Sequence, residues 1–484
     1  MTVYIKGHDF KVELERLCRL FFPDEKIRIT ADVDDRDDVW AQSVLESNVV
    51  TTRYFDGEKL YENTKSLNDP DDIEARNIAI ADGLYEHLCK VTGYTPPWGM
   101  LTGVRPVKLY RMLTQTQGSE SARKVFTQDF RCSNEKTDLC AETMKYEQPI
   151  LDLSRSDSFS LYISIPFCPT RCSYCSFVSQ SVEKSAKLIE PYTEALIKEI
   201  EETAKVADKL GLHLETIYMG GGTPTTLSAE QLERVLSAAA SSFDVSALRE
   251  FTVEAGRPDT VTVEKLEAIK RAGADRISIN PQTLNQQVLD NIGRKHSVRQ
   301  VYDAMDMAKK VGFKCVNMDL IAGLPGDTPE SFSATLDGVL SMDPGNITVH
   351  TLSMKRASTM VSGQKAQGDR TGGDASLMLD ECTRRFPRCG YHPYYLYRQT
   401  RMVGNLENVG WAKDGLDGLY NVYIMDETHT ILAVGAGGVT KLRQPGVNNI
   451  DRIYNYKFPY EYLSDFDEMI TRKKGVIRFY EEFC

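Results

Sequence analysis

Between about residues 156 and 365, short β-rich runs alternate with amphipathic helical patterns six times, and no other feature restricts the possible folds so strongly. The runs cover 161–167, 216–220, 250–255, 276–280, 315–321 and 347–352. The segments between them carry helix-start chemistry: Ser228 with Gln231, Ser297 with Gln300, and Pro329 directly after Thr328. Strand followed by helix, repeated, implies parallel β/α units joined by right-handed crossovers. Six units fall short of a closed eight-stranded barrel, so the reading is an α/β fold built on a partial (β/α)6 barrel, with a doubly wound open sheet as the alternative.

In a β/α barrel the functional rim lies at the C-terminal ends of the strands, and the unusual residues of this chain fall there. The first run leads into Cys168, Cys172 and Cys175, a C-x3-C-x2-C array. The second ends in Gly220-Gly221-Gly222-Thr223-Pro224-Thr225, the third in Glu254, the fourth in Asn280-Pro281-Gln282. The fifth ends in Asp319 ahead of Gly323-Leu324-Pro325-Gly326, and the sixth reaches Ser353, Lys355 and Arg356.

Three thiolates so close in sequence suit one soft metal centre, an iron–sulfur cluster or zinc. In a [4Fe-4S] cluster three cysteines leave one iron open, where the amino and carboxylate groups of an amino acid such as methionine can chelate. A zinc knuckle completed by a distant Cys or His is the other reading. Around the array, glycines let a backbone approach a ligand closely. Glu254 and Asp319 can accept ribose hydroxyls or an ammonium, Gln282 can donate and accept, and Arg294 can meet a carboxylate through two N–H groups. Taken singly, each has a structural explanation as a turn, a paired acid, a capping amide or a solvated cation.

Length and composition set the frame. A chain of 484 residues exceeds what one core supports, so two or three domains are expected: 1–155 as an N-terminal α+β domain, 156–365 as the barrel, and 366–484 as a C-terminal α+β cap covering the substrate. A net charge of −11 argues against nucleic acid as a partner. No apolar run approaches the roughly 20 residues of a membrane span, and the N-terminus lacks a signal-peptide pattern. The 11 cysteines form only one tight cluster, which fits reducing conditions and a cytoplasmic protein better than a disulfide framework.

In the N-terminal region strands are expected over 3–6, 26–30 and 49–55, and helices over 10–21 and 71–91. The segment 96–108, PPWGMLTGVRPVK, is read either as a rigid connector whose Trp98 plugs a core or as a cationic lid edge. Past 365, Gly-Asp-Arg-Thr-Gly-Gly suggests an exposed turn, and the tyrosines at 391, 394, 395 and 397 are core or cap residues.

The C-x3-C-x2-C with Tyr174 inside it, the GGGTPT, the Glu after the third run and the Asp-Leu-Ile-Ala-Gly-Leu-Pro after the fifth resemble the radical S-adenosylmethionine (SAM) superfamily. More narrowly they resemble its oxygen-independent coproporphyrinogen III oxidase branch, and the PPWGMLTGVRP segment resembles the Firmicute-type coproporphyrinogen dehydrogenases. The resemblance implies a [4Fe-4S] cluster on Cys168, Cys172 and Cys175, one or two SAM molecules, and a reduced flavodoxin or ferredoxin-type electron donor. It implies reductive cleavage of SAM to a 5′-deoxyadenosyl radical and oxidative decarboxylation of coproporphyrinogen III to protoporphyrinogen IX, a step of haem biosynthesis. Carried over by position, Tyr162, Gly221 and Glu254 would touch the cluster-bound SAM. Tyr174, Gly222, Thr223, Gln282, Arg294, Asp319 and Ser353 would line the place where some members hold a second molecule. Two positions depart from the oxidase pattern: Ser164 stands for a His, and Phe177 stands where those oxidases have a further Cys, as in the related haem chaperones. A haem chaperone, or another radical reaction on a tetrapyrrole, is the alternative function. Lys355, Arg356 and Arg398 are the cations nominated for the anionic substrate.

Overall fold

The computed structural model describes residues 1–31, 38–69, 71–175, 177, 179–353, 372–399, 402–447 and 449–483. Lys355, Arg356 and the start of the turn expected at 368 lie outside the described residues. The chain forms two compact units, one of Met1–Met144, Gly368–Ser376 and Tyr397–Glu407, the other of Lys145–Gln367, Leu377–Leu396 and Asn408–Cys484.

In the first unit a five-stranded sheet runs in the order Arg28–Thr30, Thr2–Lys6, Trp40–Glu46, Val49–Phe55, Leu60–Ser66. Helices Lys11–Phe21 and Ile73–Thr92 bury Leu14, Leu17, Ile80, Leu84 and Leu88 with Val3, Ile5 and Val50 of the sheet. Trp98 is 1% exposed and its Nε1 donates to Glu407 Oε2 at 2.7 Å, while Lys136 Nζ holds the other carboxylate oxygen at 2.7 Å. Segment 96–108 therefore includes a packing connector. Arg398 lies over the Trp98 ring and donates to the main-chain oxygens of Leu101 (2.5 Å) and Asn405 (2.9 Å). Its N–H groups are spent on backbone in a buried setting, which corrects its nomination as a substrate cation.

The second unit contains the barrel. Its six strands are Ser158–Ile165, His213–Gly221, Glu250–Gly256, Arg276–Ile279, Cys315–Ala322 and Asn346–Thr351. They lie side by side in sequence order, every neighbouring pair parallel. A doubly wound sheet would reverse that order at a switch point; the sequential order is that of a barrel. The capping boxes at Ser228, Ser297 and Thr328 are formed, each starting a crossover helix. The C-terminal segment extends the same sheet at both edges: Asn408–Ala412 pairs antiparallel with the sixth strand, and Thr430–Val434 pairs parallel with the first.

Side chains alternate across the sheet. One face carries Leu161, Ile163, Met219, Val253, Ile277, Met318, Leu320 and Val349, all fully buried. The other is polar, and the register aligns Tyr162 with Tyr218, Glu254 with Ser278, Ser278 with Asn317, and Asp319 with Thr348. Hydrogen bonds stitch this face from strand to strand: Asn317 Nδ2 donates to Ser278 Oγ (2.8 Å) and to Asp319 Oδ1 (2.7 Å), and Thr216 Oγ1 donates to Ser160 Oγ (2.7 Å). The tyrosines at 391, 394 and 395 are buried. No helix among the described residues is long and apolar enough to cross a membrane.

Candidate functional site

The first strand runs directly into the cysteine loop, which neighbouring strand ends pin in place. Gly222 N donates to Ile165 O and Thr223 N to Phe167 O, both at 2.7 Å, so the GGGTPT loop lies against the start of the cysteine loop. A Cβ on Gly222 would stand 2.5 Å from Phe167 O and 3.0 Å from Cys168 Sγ, so only glycine permits this approach. Gly221, with φ +107°, makes the turn that a side chain would strain. Thr223 Oγ1 lies 3.5 Å from Cys168 Sγ and donates to it.

Three further ties hold the loop. Arg257 Nη1 donates to Thr170 Oγ1 (2.8 Å) while Asp259 grips the same guanidinium through both oxygens. Ser173 N donates to Ile292 O at 3.0 Å. Arg294 Nη1 donates to Tyr174 OH at 2.8 Å, and its Nη2 reaches Asn280 O (2.5 Å) and Gly256 O (3.3 Å). Arg294 is 5% exposed. It straps the cysteine loop to the ends of the third and fourth strands, a role that spacing alone does not reveal.

The acidic and amide groups gather beside this loop. Tyr218 OH donates to Glu254 Oε1 at 2.6 Å, and loss of hydration raises the Glu254 carboxyl to about 7, with Asp319 adding repulsion. Gln282 adopts φ +70°, rare for a residue with a side chain; its N–H donates to Asp319 O at 2.9 Å. Its Oε1 is buried with no hydrogen-bond partner among the described residues. Asp319 is flanked by His350 of the sixth strand, whose Nε2 lies 3.8 Å from Asp319 Oδ2. Ser353 follows that strand, partly buried.

The structure thus brings Cys168, Cys172, Cys175, Tyr174, Gly221, Gly222, Thr223 and Arg294 into one bonded assembly, and links Glu254, Gln282 and Asp319 along the polar face with Tyr162. His350, Tyr218 and Tyr420 are residues the sequence reading missed. For the first two the signal was their alternation with other inward positions of their strands. Tyr420 gave none, since its helix Leu419–Asp426 lies far along the chain and nothing in its apolar sequence marks the barrel as its destination.

The donor set fits an iron–sulfur cluster. Burial pushes the Cys175 thiol up, and the charges of Cys172 and Cys168 add to it, as expected of sulfurs sharing one neighbourhood. Among the described residues no three His, Cys, Asp or Glu side chains are gathered to hold a single ion. The unpartnered Gln282 oxygen and the cradle kept open at Gly221–Gly222 are features of a ligand site.

Residues 162–339 match the family model described as the radical SAM superfamily. The chain is 37% identical to the oxygen-independent coproporphyrinogen-III oxidase-like protein HemZ of Bacillus subtilis over 386 residues, 79% of this chain and 77% of that one. The chain belongs to the radical SAM superfamily. Its cofactors are accordingly a [4Fe-4S] cluster and SAM. It is also 38% identical to the haem chaperone HemW of Lactococcus lactis over 208 residues, covering 43% of this chain and 52% of the chaperone. Among solved structures, the coproporphyrinogen III oxidase HemN of Escherichia coli shares the fold with a TM-score of 0.53 at 22% identity, covering 70% of this chain and 74% of HemN.

Proposed function

We propose that this radical SAM protein catalyses the oxygen-independent oxidative decarboxylation of coproporphyrinogen III to protoporphyrinogen IX. The observation that carries the reading is the likeness to the coproporphyrinogen oxidase-like HemZ, which extends over most of both chains and beyond the barrel. Cys168, Cys172 and Cys175 would hold the cluster, with SAM beside Tyr162, Gly221 and Glu254. Tyr174, Gly222, Thr223, Gln282, Arg294, Asp319 and Ser353 would line the adjoining space. When bound, the cluster and SAM would supply a primary carbon radical able to take hydrogen from a propionate β-carbon; the substrate radical would then lose CO2 and pass one electron to an external one-electron acceptor, leaving the vinyl group. The protein's own part is to position and to exclude water, since such a radical reacts with whatever C–H it meets. The polar face of the strands serves the first task. The segment from 366 onward, which joins the sheet at both edges, serves the second as the substrate-covering part of the chain. A reduced flavodoxin or ferredoxin-type protein in the cytoplasm would supply electrons.

A second reading, a haem chaperone of the same superfamily, is favoured by Phe177, which is exposed two residues beyond Cys175 where the oxidases carry cysteine. One experiment separates the two. The anaerobically reconstituted, reduced protein is incubated with SAM and coproporphyrinogen III, and nucleosides and porphyrins are chromatographed. Protoporphyrinogen formed together with 5′-deoxyadenosine supports the oxidase. Tight haem binding with no porphyrin turnover supports the chaperone.

A further inference from the structure

We infer that Tyr218 is a positioning residue that aims Glu254 at the amino group of bound SAM, and that Tyr420 holds Tyr218 in that pose. The inference rests on the proposal that Glu254 contacts SAM. Tyr218 precedes the glycine loop by two residues and sits in register with Tyr162 on the polar face. Its hydroxyl donates to one oxygen of Glu254 at 2.6 Å, fixing the carboxylate plane and leaving the other oxygen for a ligand. Glycine at residue 220 leaves room for the pair in this pose. A Cβ there would stand 2.9 Å from Glu254 Cδ and 2.9 Å from Tyr218 Cε1. Of the three glycines, Gly220 thus serves the Tyr218–Glu254 pair, whereas Gly222 serves the cysteine loop.

The far side of Tyr218 is closed by Tyr420, which reaches in from helix Leu419–Asp426, stacks with ring centres 4.4 Å apart and is 4% exposed. Tyr162 completes the group at 6.2 Å from Tyr420 and 6.3 Å from Tyr218. A glutamate free to rotate must be ordered when it takes a ligand, and that loss of rotamer freedom weakens binding. Here the ordering is built in before SAM arrives, and the C-terminal segment supplies part of it.

Among the described residues the titratable and charged groups facing Glu254 are Tyr218 of its neighbouring strand, Tyr162 of the first strand, Tyr420 of the C-terminal helix and Asp319 of the fifth strand. The tyrosines are neutral at ordinary pH. Among these groups Tyr218 favours the ionised carboxylate through its hydrogen bond, whereas Asp319 opposes it. Replacing Tyr218 by Phe removes the favourable partner, so the pH at which Glu254 becomes an ionised acceptor for the SAM amino N–H moves upward.

The test uses the full chain, reconstituted anaerobically and assayed for iron and sulfide. SAM is titrated between pH 6 and 9, followed by the perturbation of the reduced cluster's electron paramagnetic resonance signal, for the wild type, Y218F, E254Q and the double variant. The expected result is full iron in Y218F, SAM affinity about tenfold weaker from loss of one charge-assisted hydrogen bond, and an upward shift in the pH midpoint of binding. In the E254Q background Y218F should add nothing. Unchanged affinity and midpoint in Y218F, or fully additive losses in the double variant, would overturn the inference. If E254Q itself binds SAM as the wild type does, the assignment of Glu254 fails and the inference with it. Should Y218F lose its cluster, Tyr420→Leu carries the test, because it removes the stacking partner and leaves the phenol. A midpoint shift in the same direction is then expected, and none would overturn the inference.

Discussion

Arg294 straps the cysteine loop and is also proposed to line the space beside SAM, and replacing it with Met separates the two roles. The guanidinium gives hydrogen bonds to Tyr174 OH, Asn280 O and Gly256 O. Gly256 O keeps a second donor, the N–H of Asn280 at 3.1 Å. The Met variant therefore leaves the Tyr174 hydroxyl and the Asn280 carbonyl without these bonds, at about 1.5 kcal/mol each, or about 3 kcal/mol together. Relief from burying the cation offsets part of this, so about 2–3 kcal/mol is the net expectation. In a thermal melt of the apo protein that corresponds to a fall of roughly 6 °C in the transition of the barrel unit. Because Tyr174 sits between Cys172 and Cys175, the loosened strap should also lower iron per chain after reconstitution. The assay is differential scanning calorimetry alongside iron and sulfide analysis. A variant that melts like the wild type and takes up full iron, yet binds SAM poorly, would refute the strap and make Arg294 a ligand contact.

Two further substitutions test the glycine loop and a buried network that ties the C-terminal segment to the helix after the first strand. Gly222→Ala places a methyl 2.5 Å from Phe167 O and 3.0 Å from Cys168 Sγ, so it should destabilise by about 1–3 kcal/mol and sharply reduce cluster absorbance near 400 nm, measured after reconstitution. Glu199 is fully buried and accepts from Gly435 N and Tyr462 OH at 2.6 Å and from Asn455 Nδ2 and Lys473 Nζ at 2.8 Å. Glu199→Ala strands the buried Lys473 charge and should cost about 3–5 kcal/mol in denaturant unfolding, whereas a loss below 1 kcal/mol would contradict the network.

The barrel was legible because each of its strands buries an apolar face. That burial wrote apolar alternation into the sequence, as in Ile217 and Met219 or Ile277 and Ile279, and left strand ends within a residue or three of their expected places. Leu60–Ser66 was not legible: its burial alternates only between exposed and intermediate, so a strand of Glu, Asn, Thr and Lys shows no apolar period. The cysteines and glycines could be read because their chemistry depends on spacing along the chain. Arg294 could not be assigned its strap role, since its partners lie 120, 38 and 14 residues away and two of them are backbone carbonyls without side-chain identity. Arg398 misled for the same reason. A cation whose N–H groups serve main-chain oxygens looks, in sequence, like one free to meet a substrate.

On the proposed reading Cys168, Cys172 and Cys175 would hold the [4Fe-4S] cluster, and the glycine loop and Glu254 beside them would bind SAM. The direct measurement is the electron paramagnetic resonance spectrum of the reduced, reconstituted protein with SAM labelled in its amino nitrogen or carboxylate oxygen. The expected signal changes on adding SAM and carries hyperfine coupling from the label, both absent in Cys172→Ala. A full complement of iron whose signal is indifferent to SAM, with no coupling to the label, would contradict that reading.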